Sequence, residues 1–411
     1  MKILFLSEAV SNAHFTRPLV LANYSKKLGI DTYFATSEKC LVGHQQELKD
    51  FSSKSLYTIS DKLFYERVNE GKFFYTKNDL LKYINSEVEL INCVKPNLIV
   101  SDFRLTAPIS AFLTQKPLVS IANAYWHPKH SCSFMAPQNG IFKYIPKNYR
   151  EKIFGFLRPF AFRFFARELD QVRMSFNLKP KNDFRKHYTD GNFTALADTP
   201  DFVKIKNLPD NHFYLGPLLF QPQQSNTVID IRDLNYVYIT PGDAFSLTTL
   251  KAILKALISI NRKIIISGIN TNSQISLANE IPHLKDHCQM YSFINANQIL
   301  PYCQITVCHG GSGTVYQSLF YGKPVICLPE NPDQGLVANA VQENQVGVIL
   351  DRNSFSSATF LKAVDRCVKD QIVKQQTREM QSKMRLYDSE KIWGSFLLRF
   401  QTSRKTKRVI A

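Results

Sequence analysis

The chain has 411 residues, 44% hydrophobic and 21% charged, a globular composition too long for one core, so two domains of roughly two hundred residues are expected. No apolar run approaches the ~20 residues that span a bilayer, and the stretch Met1–Glu8 has neither the apolar length nor the cleavage site of a secretory leader. The net charge of +17 favours an anionic partner; the eight cysteines form no CxxC pair and, like the nine histidines, show no metal-ligand spacing, so free thiols in a reducing cytoplasm and no bound metal are expected.

Residues 2–8 read as a buried strand, 9–13 as a small polar loop, and His14 to Leu28 as a helix with Phe15, Leu19, Leu21, Ala22 and Leu28 in period. A second strand at 31–36 completes a βαβ start and implies a parallel sheet. Residues 40–95 carry helices and loops rich in Lys, Tyr and Phe. Further strands are expected at 97–101, ending at Asp102, and at 117–122, running out into Asn123 to Pro128. From Ile141 to Tyr188 twelve Lys/Arg face four Asp/Glu, and within 143–174 Phe154, Phe156, Leu157, Phe160, Phe162, Phe164 and Phe165 alternate with Lys152, Arg158, Arg163 and Arg167. Two readings of that segment stand open: a helix on an anionic membrane surface, or a packed helix pair with snorkelling arginines. No recognisable nucleic-acid module accompanies the charge, so a nucleic-acid partner is not expected.

Turn residues and a polar run at 216–232 read as a linker. The pattern then restarts, with strands at 236–240, 263–267, 290–293, 304–308 and 325–328 and a helix at 247–260. The stretch 360–400 is helical. Two motifs carry chemistry in this half. His309-Gly310-Gly311-Ser312-Gly313-Thr314 follows a buried strand and opens a helix, which makes an anion site of backbone N–H groups with a histidine beside it. Asp333 and Gln334, ahead of Asn339-Ala340, put a carboxylate and an amide on a second loop, suited to a polyol. Taken alone, the glycines could form no more than a tight turn.

The order His-Gly-Gly-x-Gly-Thr, then Gly322-Lys323-Pro324 before an apolar strand, then Asp333-Gln334 resembles the donor-site signature of inverting nucleotide-sugar glycosyltransferases. That family contains UDP-glucuronosyl, plant flavonoid and bacterial antibiotic glycosyltransferases. His14 with Pro18 looks like its His-x-x-x-Pro segment, and Asp102 like its Asp-bearing strand end. The resemblance implies an α/β GT-B fold of two doubly wound Rossmann-like domains facing a cleft. The acceptor domain would cover 1–215 and the donor domain 233–385, with 386–411 returning to the first domain. It implies a metal-independent, inverting hexosyl transfer from a nucleotide sugar, UDP-linked by expectation, to a hydroxyl of a mostly apolar acceptor. No cofactor beyond the donor is implied.

In that reading His14 is the base and Asp102 fixes its tautomer. His309 and the N–H groups of Gly311, Ser312, Gly313 and Thr314 hold the diphosphate, and Asp333 and Gln334 hold the sugar. Phe293 stacks on the base, with Ile294 reading its edge; a core phenylalanine is the alternative at that position. Phe103, Tyr125, Trp126 and Phe134 are the expected acceptor contacts. Two positions depart from the pattern: Gln317 stands where many members carry a ribose-binding Glu, and Gly242-Asp243 where many carry Gly-Ser or Gly-Thr. Two other classes remain open, an epimerase or hydrolase of UDP-sugars on the same fold, and a degenerate, non-catalytic binding protein at a membrane.

Overall fold

The computed structural model describes residues 1–131, 134, 144–222, 229, 231, 234–242 and 245–409. Asp243, eight of the 17 expected linker residues (223–228, 230 and 232) and Lys143 lie outside these residues. The chain forms two compact units, one of Met1–Ser131, Phe156–Phe220 and Tyr387–Ala411, the other of Cys132–Gly155 and Gln221–Leu386.

The first unit is a seven-stranded parallel sheet built from β1 (Lys2–Ser7), β2 (Asp31–Thr36), β3 (Ser52–Ser55), β4 (Leu98–Asp102), β5 (Leu118–Ala122), β6 (Phe193–Leu196) and β7 (His212–Tyr214), in the order β3-β2-β1-β4-β5-β6-β7. Ile3, Leu4, Phe5 and Leu6 are all fully buried, as they must be where helices cover both faces of a parallel sheet. One core joins Ile3, Phe5, Val100 and Ile121 to Phe15 and Leu19 of the helix Asn12–Lys27. Leu4, Leu6 and Ile99 belong to a second core, with Ile91 and Val94 of the helix Lys77–Val94. The closing helix Ser389–Val409 belongs to this unit: Trp393 is fully buried and its indole N–H donates to Ser25 Oγ at 2.9 Å.

The second unit repeats the plan with β8 (Tyr236–Thr240), β9 (Ile264–Ser267), β10 (Cys288–Tyr291), β11 (Cys303–Cys308), β12 (Val325–Cys327) and β13 (Gly347–Ile349), in the order β10-β9-β8-β11-β12-β13. Each sheet therefore has a switch point, β1/β4 in one and β8/β11 in the other, where successive connections leave in opposite directions. Ligands of open α/β sheets bind beyond the carboxyl ends of the strands at such points.

Several expectations shift. β3, β6, β7 and β13 were not legible as strands, and β10 lies two residues earlier than expected because its register pairs Cys288 with Ile264. The 143–174 segment contains one helix, Lys147–Ser175, not a pair, with Pro159 inside it.

The first unit also buries a polar cluster behind β1. Arg104 donates to Glu87 at 2.7 Å and reaches Glu8 at 3.4 Å, so one cation serves two buried carboxylates. Glu87 is also held by Thr106 and Ser110 at 2.7 and 2.6 Å. Glu8 is less well served, and burial, only partly offset by Arg104 and Tyr83, raises its pKa to about 7. A carboxyl whose pKa rises on folding stabilises the native state fully at acid pH, and that contribution is lost as pH climbs to the folded value. Stability should therefore fall by at most about 3 kcal/mol between the ordinary carboxylate range and neutrality. Glu8→Gln should flatten that slope when urea unfolding is followed across the range; an unchanged slope would place the titration elsewhere.

Candidate active-site clusters

At the first switch point, Ser7 ending β1 lies in register with Asp102 ending β4. His14 is in the first turn of the helix Asn12–Lys27, whose start is held by Ser7 Oγ donating to the His14 carbonyl at 2.8 Å. The His14 ring reaches back so that Nδ1 lies 2.8 Å from Oδ1 of the fully buried Asp102. The expected pair is thus brought together. Its ring lies flat on Phe103, with centroids 4.4 Å apart and planes 10° apart. Phe103 itself sits at φ +56°, a left-handed conformation that is unfavourable for a bulky residue and that occurs immediately after Asp102.

The pair has a third member that the sequence reading missed. Buried Arg17 donates to Asp102 through Nε (2.8 Å to Oδ2) and Nη2 (2.7 Å to Oδ1), and Nη2 also lies 2.9 Å from His14 Nδ1. Its other amino group donates to Asn123 Oδ1. Burial pulls the Arg17 pKa down, but the Asp102 charge beside it, with smaller contributions from Tyr188 and Tyr125, carries it above its ordinary value, so the guanidinium stays charged. The nitrogen Nδ1 cannot both donate to Asp102 and accept from Arg17. A carboxylate oxygen only accepts, so the 2.8 Å approach of Nδ1 to Asp102 calls for Nδ1–H, the tautomer that leaves the Nε2 lone pair outward. The signal for Arg17 was its i+3 spacing from His14, the same helix face, on a helix otherwise buried by Phe15 and Leu19.

Aromatic rings extend from this point. Phe103 contacts Phe74, Phe64 and Tyr188 at 5.7, 6.3 and 5.6 Å, and Phe74 contacts Phe184, which meets Trp126 at 6.2 Å. Of the four expected acceptor contacts, Phe103 and Trp126 are partly exposed, whereas Tyr125 and Phe134 are buried and present no open surface. Phe64 and Phe184, absent from the sequence reading, are partly exposed members of the same array.

In the second unit Gly242 follows β8 and His309 follows β11, so both stand at the β8/β11 switch point. The imidazole is held between two backbones that have no side chains. A Cβ on Gly242 would meet His309 Cε1 at 3.0 Å, and one on Gly311 would meet Nε2 at 2.6 Å. Gly242 has φ +55°, which any other residue would adopt only with strain. Gly311 caps the helix Ser312–Phe320, so the first N–H groups of Ser312, Gly313 and Thr314 open toward the same loop. Asp333 and Gln334 lie in the first turn of the helix Pro332–Glu343, and the Gln334 carbonyl comes within 2.9 Å of where a Cβ of Gly310 would be. The two motif loops are therefore in contact.

Gln334 Oε1 accepts from the Glu330 N–H at 2.8 Å, and Gln317 donates to Asn297 at 2.9 Å. Phe293 is 58% exposed, not a core residue, beyond the end of β10, while the neighbouring Ile294 is buried. Among the described residues no group of three or more His, Cys, Asp or Glu forms a metal site.

Residues 251–387 match the family "Erythromycin biosynthesis protein CIII-like, C-terminal domain". A "PGL/p-HBAD biosynthesis glycosyltransferase" of Mycobacterium tuberculosis is 28% identical over 395 residues, covering 92% of this chain and 87% of the relative. A "PGL/p-HBAD biosynthesis rhamnosyltransferase" of Mycobacterium bovis is 28% identical over 369 residues, covering 88% and 80%. The structure of the Streptomyces sp. SF2575 glycosyltransferase SsfS6, complexed with thymidine diphosphate, superposes with a TM-score of 0.68 at 16% identity, covering 97% of this chain and 99% of that one. The fold is GT-B, two parallel-sheet Rossmann-like units, and the chain is similar to glycosyltransferases, with residues 251–387 matching an EryCIII-like C-terminal domain.

Two sets of variants test these clusters. Arg17→Ala leaves Asp102 buried without its cation and should cost about 3–5 kcal/mol in urea unfolding. Arg17→Lys, which keeps the charge but loses the two-pronged contact, should recover only part of that. Gly311→Ala should push the His309 ring aside and weaken nucleoside diphosphate binding by about tenfold or more. Gly313, with open space around its Cβ position, should accept Ala and gain up to ~1 kcal/mol of stability. Equal nucleotide affinity for Gly311→Ala and wild type would remove His309 from the site.

Proposed function

We infer that this protein moves a hexosyl group, with inversion, from a pyrimidine nucleoside diphosphate sugar to a hydroxyl of a largely apolar acceptor. The observation that carries the reading is the His14–Asp102 pair at a sheet switch point, 2.8 Å apart, with its outer nitrogen available. The array around Phe103 and Trp126 suits an apolar acceptor. His14 Nε2 takes the acceptor proton as the oxygen attacks the anomeric carbon. In the same step the bond from that carbon to the phosphate oxygen breaks, and its electron pair leaves with the diphosphate. A single displacement of this kind inverts the anomeric centre.

His309 and the N–H groups from Gly311 to Thr314 receive the developing diphosphate charge, a donor set that asks for no metal ion. Asp333 and Gln334 hold sugar hydroxyls, and Phe293 stacks on the base, a role its exposure supports. The nucleotide need not be UDP. An amide at Gln317 gives a ribose diol a weaker bond than a carboxylate would, and dTDP has one ribose hydroxyl fewer to satisfy. A structural neighbour solved with thymidine diphosphate and a relative named a rhamnosyltransferase support including dTDP-sugars.

A second reading, a nucleotide-binding protein without transfer, is favoured by Gln317 and by the Gln334 oxygen already engaged on Glu330. Calorimetric titration with UDP, dTDP and GDP on wild type and His309→Ala, followed by donor hydrolysis and transfer assays on His14→Ala, separates the two. Transfer predicts pyrimidine nucleotide binding lost in His309→Ala, and a fall in turnover of about 10²–10⁴ in His14→Ala with nucleotide binding intact. Binding with no turnover in wild type supports the second reading, and no nucleotide binding at all overturns both.

A further inference from the structure

The helix Lys147–Ser175 carries two apolar faces. The inner one is explained by packing: Phe162, Ala166, Leu169 and Val172 are buried, with Phe162 edge-on to Trp126 at 6.4 Å and under the Arg185 guanidinium at 4.6 Å. The outer one has no such account. Ile153, Phe156, Leu157, Phe160 and Phe164 are exposed, the three phenylalanines at 74%, 65% and 58%. Their spacing of three and four residues gathers them in an arc of about 100° at 3.6 residues per turn. A core-packing helix has no use for a second stripe of this kind, and scattered single exposed apolar residues do not line up this way.

Cations border the stripe. At about 100° per residue Lys152 and Arg163 fall along one edge of it and Arg167 just inside that edge, and all three are exposed. Among the described residues none of the three forms an ion pair with an acidic side chain. Between Lys147 and Arg167 the sequence has six Lys/Arg and a single acidic residue, Glu151. Aromatic rings flanked by unneutralised cations match the layered chemistry of an anionic bilayer surface: rings reach the acyl boundary while guanidinium groups meet lipid phosphates. Among the described residues no helix is long and apolar enough to cross a membrane, so such contact would be peripheral.

We propose that the outer face of the helix Lys147–Ser175 docks the protein on an anionic lipid surface, with Phe156, Phe160 and Phe164 inserted and Lys152, Arg163 and Arg167 on the headgroups. The proposal stands independently of sugar transfer. It is tested on the full chain by flotation with phosphatidylcholine vesicles, with and without phosphatidylglycerol, at low and high salt. Expected are binding that requires phosphatidylglycerol and weakens with salt, a loss of about tenfold or more for Phe156→Ser/Phe160→Ser, and about fivefold per cation removed for Arg163→Ser/Arg167→Ser.

These side chains are exposed, so unchanged urea midpoints should accompany the losses. No flotation with anionic vesicles overturns the proposal, as does flotation that both double variants leave unchanged. Sedimentation showing that wild type self-associates, that the phenylalanine variant does not, and that neither floats would assign the stripe to a second copy of the chain and overturn it equally.

Discussion

The first unit depends on one buried carboxylate. Asp102 ends a central strand, is fully enclosed, and has charge that water does not reach. An unpaired carboxylate there would cost several kcal/mol, so the site exists only because Arg17 lies across it with two hydrogen bonds. That pairing changes what His14 receives. Asp102 fixes the direction of the imidazole, but part of its field is spent on Arg17, so the carboxylate contributes more orientation than Coulombic help to a protonated ring. Arg17 in turn is anchored by Asn123, which donates to Asp198 at 3.4 Å, and Asp198 also accepts from the Ala124 N–H at 2.6 Å. The ends of β1, β4 and β5 and the chain just after β6 are thereby tied to one polar chain.

The second unit positions its histidine by the opposite means. His309 is not drawn in by charge but by missing side chains: Gly242 and Gly311 leave a slot whose walls are backbone. A slot of this kind keeps N–H groups close to the ring, an arrangement suited to an anion. The same plan, a parallel sheet with helices on both faces, thus holds a His–Asp–Arg cluster in one unit and a histidine beside helix N–H groups in the other, because each switch point leaves strand ends free for side chains rather than for packing.

How legible this was depended on what each residue does. β1, β4, β8, β9 and β11 announce themselves because strands covered on both faces must be apolar throughout. β3, with the sequence Ser-Ser-Lys-Ser, is an edge strand held by backbone pairing to β2, and nothing in its side chains says strand. His14, Asp102 and the His309 loop were found through motif order. Arg17 was not, since a lone arginine on a helix reads as surface until its buried partner is known. Gln317 was noticed as a departure, but its bond to Asn297 needed coordinates. Phe293 shows the limit in the other direction: the register of β10 moved the strand two residues back and put the ring into solvent.

The helix Lys147–Ser175 shows why composition alone left two readings open. A helix apolar on one side and charged on the other has a single answer. This one is apolar on two opposing sides, and only burial separates them: Phe162 and Leu169 belong to the core, whereas Phe156 and Phe160 lie outside it. Keeping large rings in water carries a standing cost in solubility, which a chain of net charge +17 can tolerate through self-repulsion. On the docking proposed above, the same cations that keep such a surface soluble would also give it a preference for negative lipid. On that docking, charge and exposed rings on this helix are two parts of one device, each adding its own share of the binding.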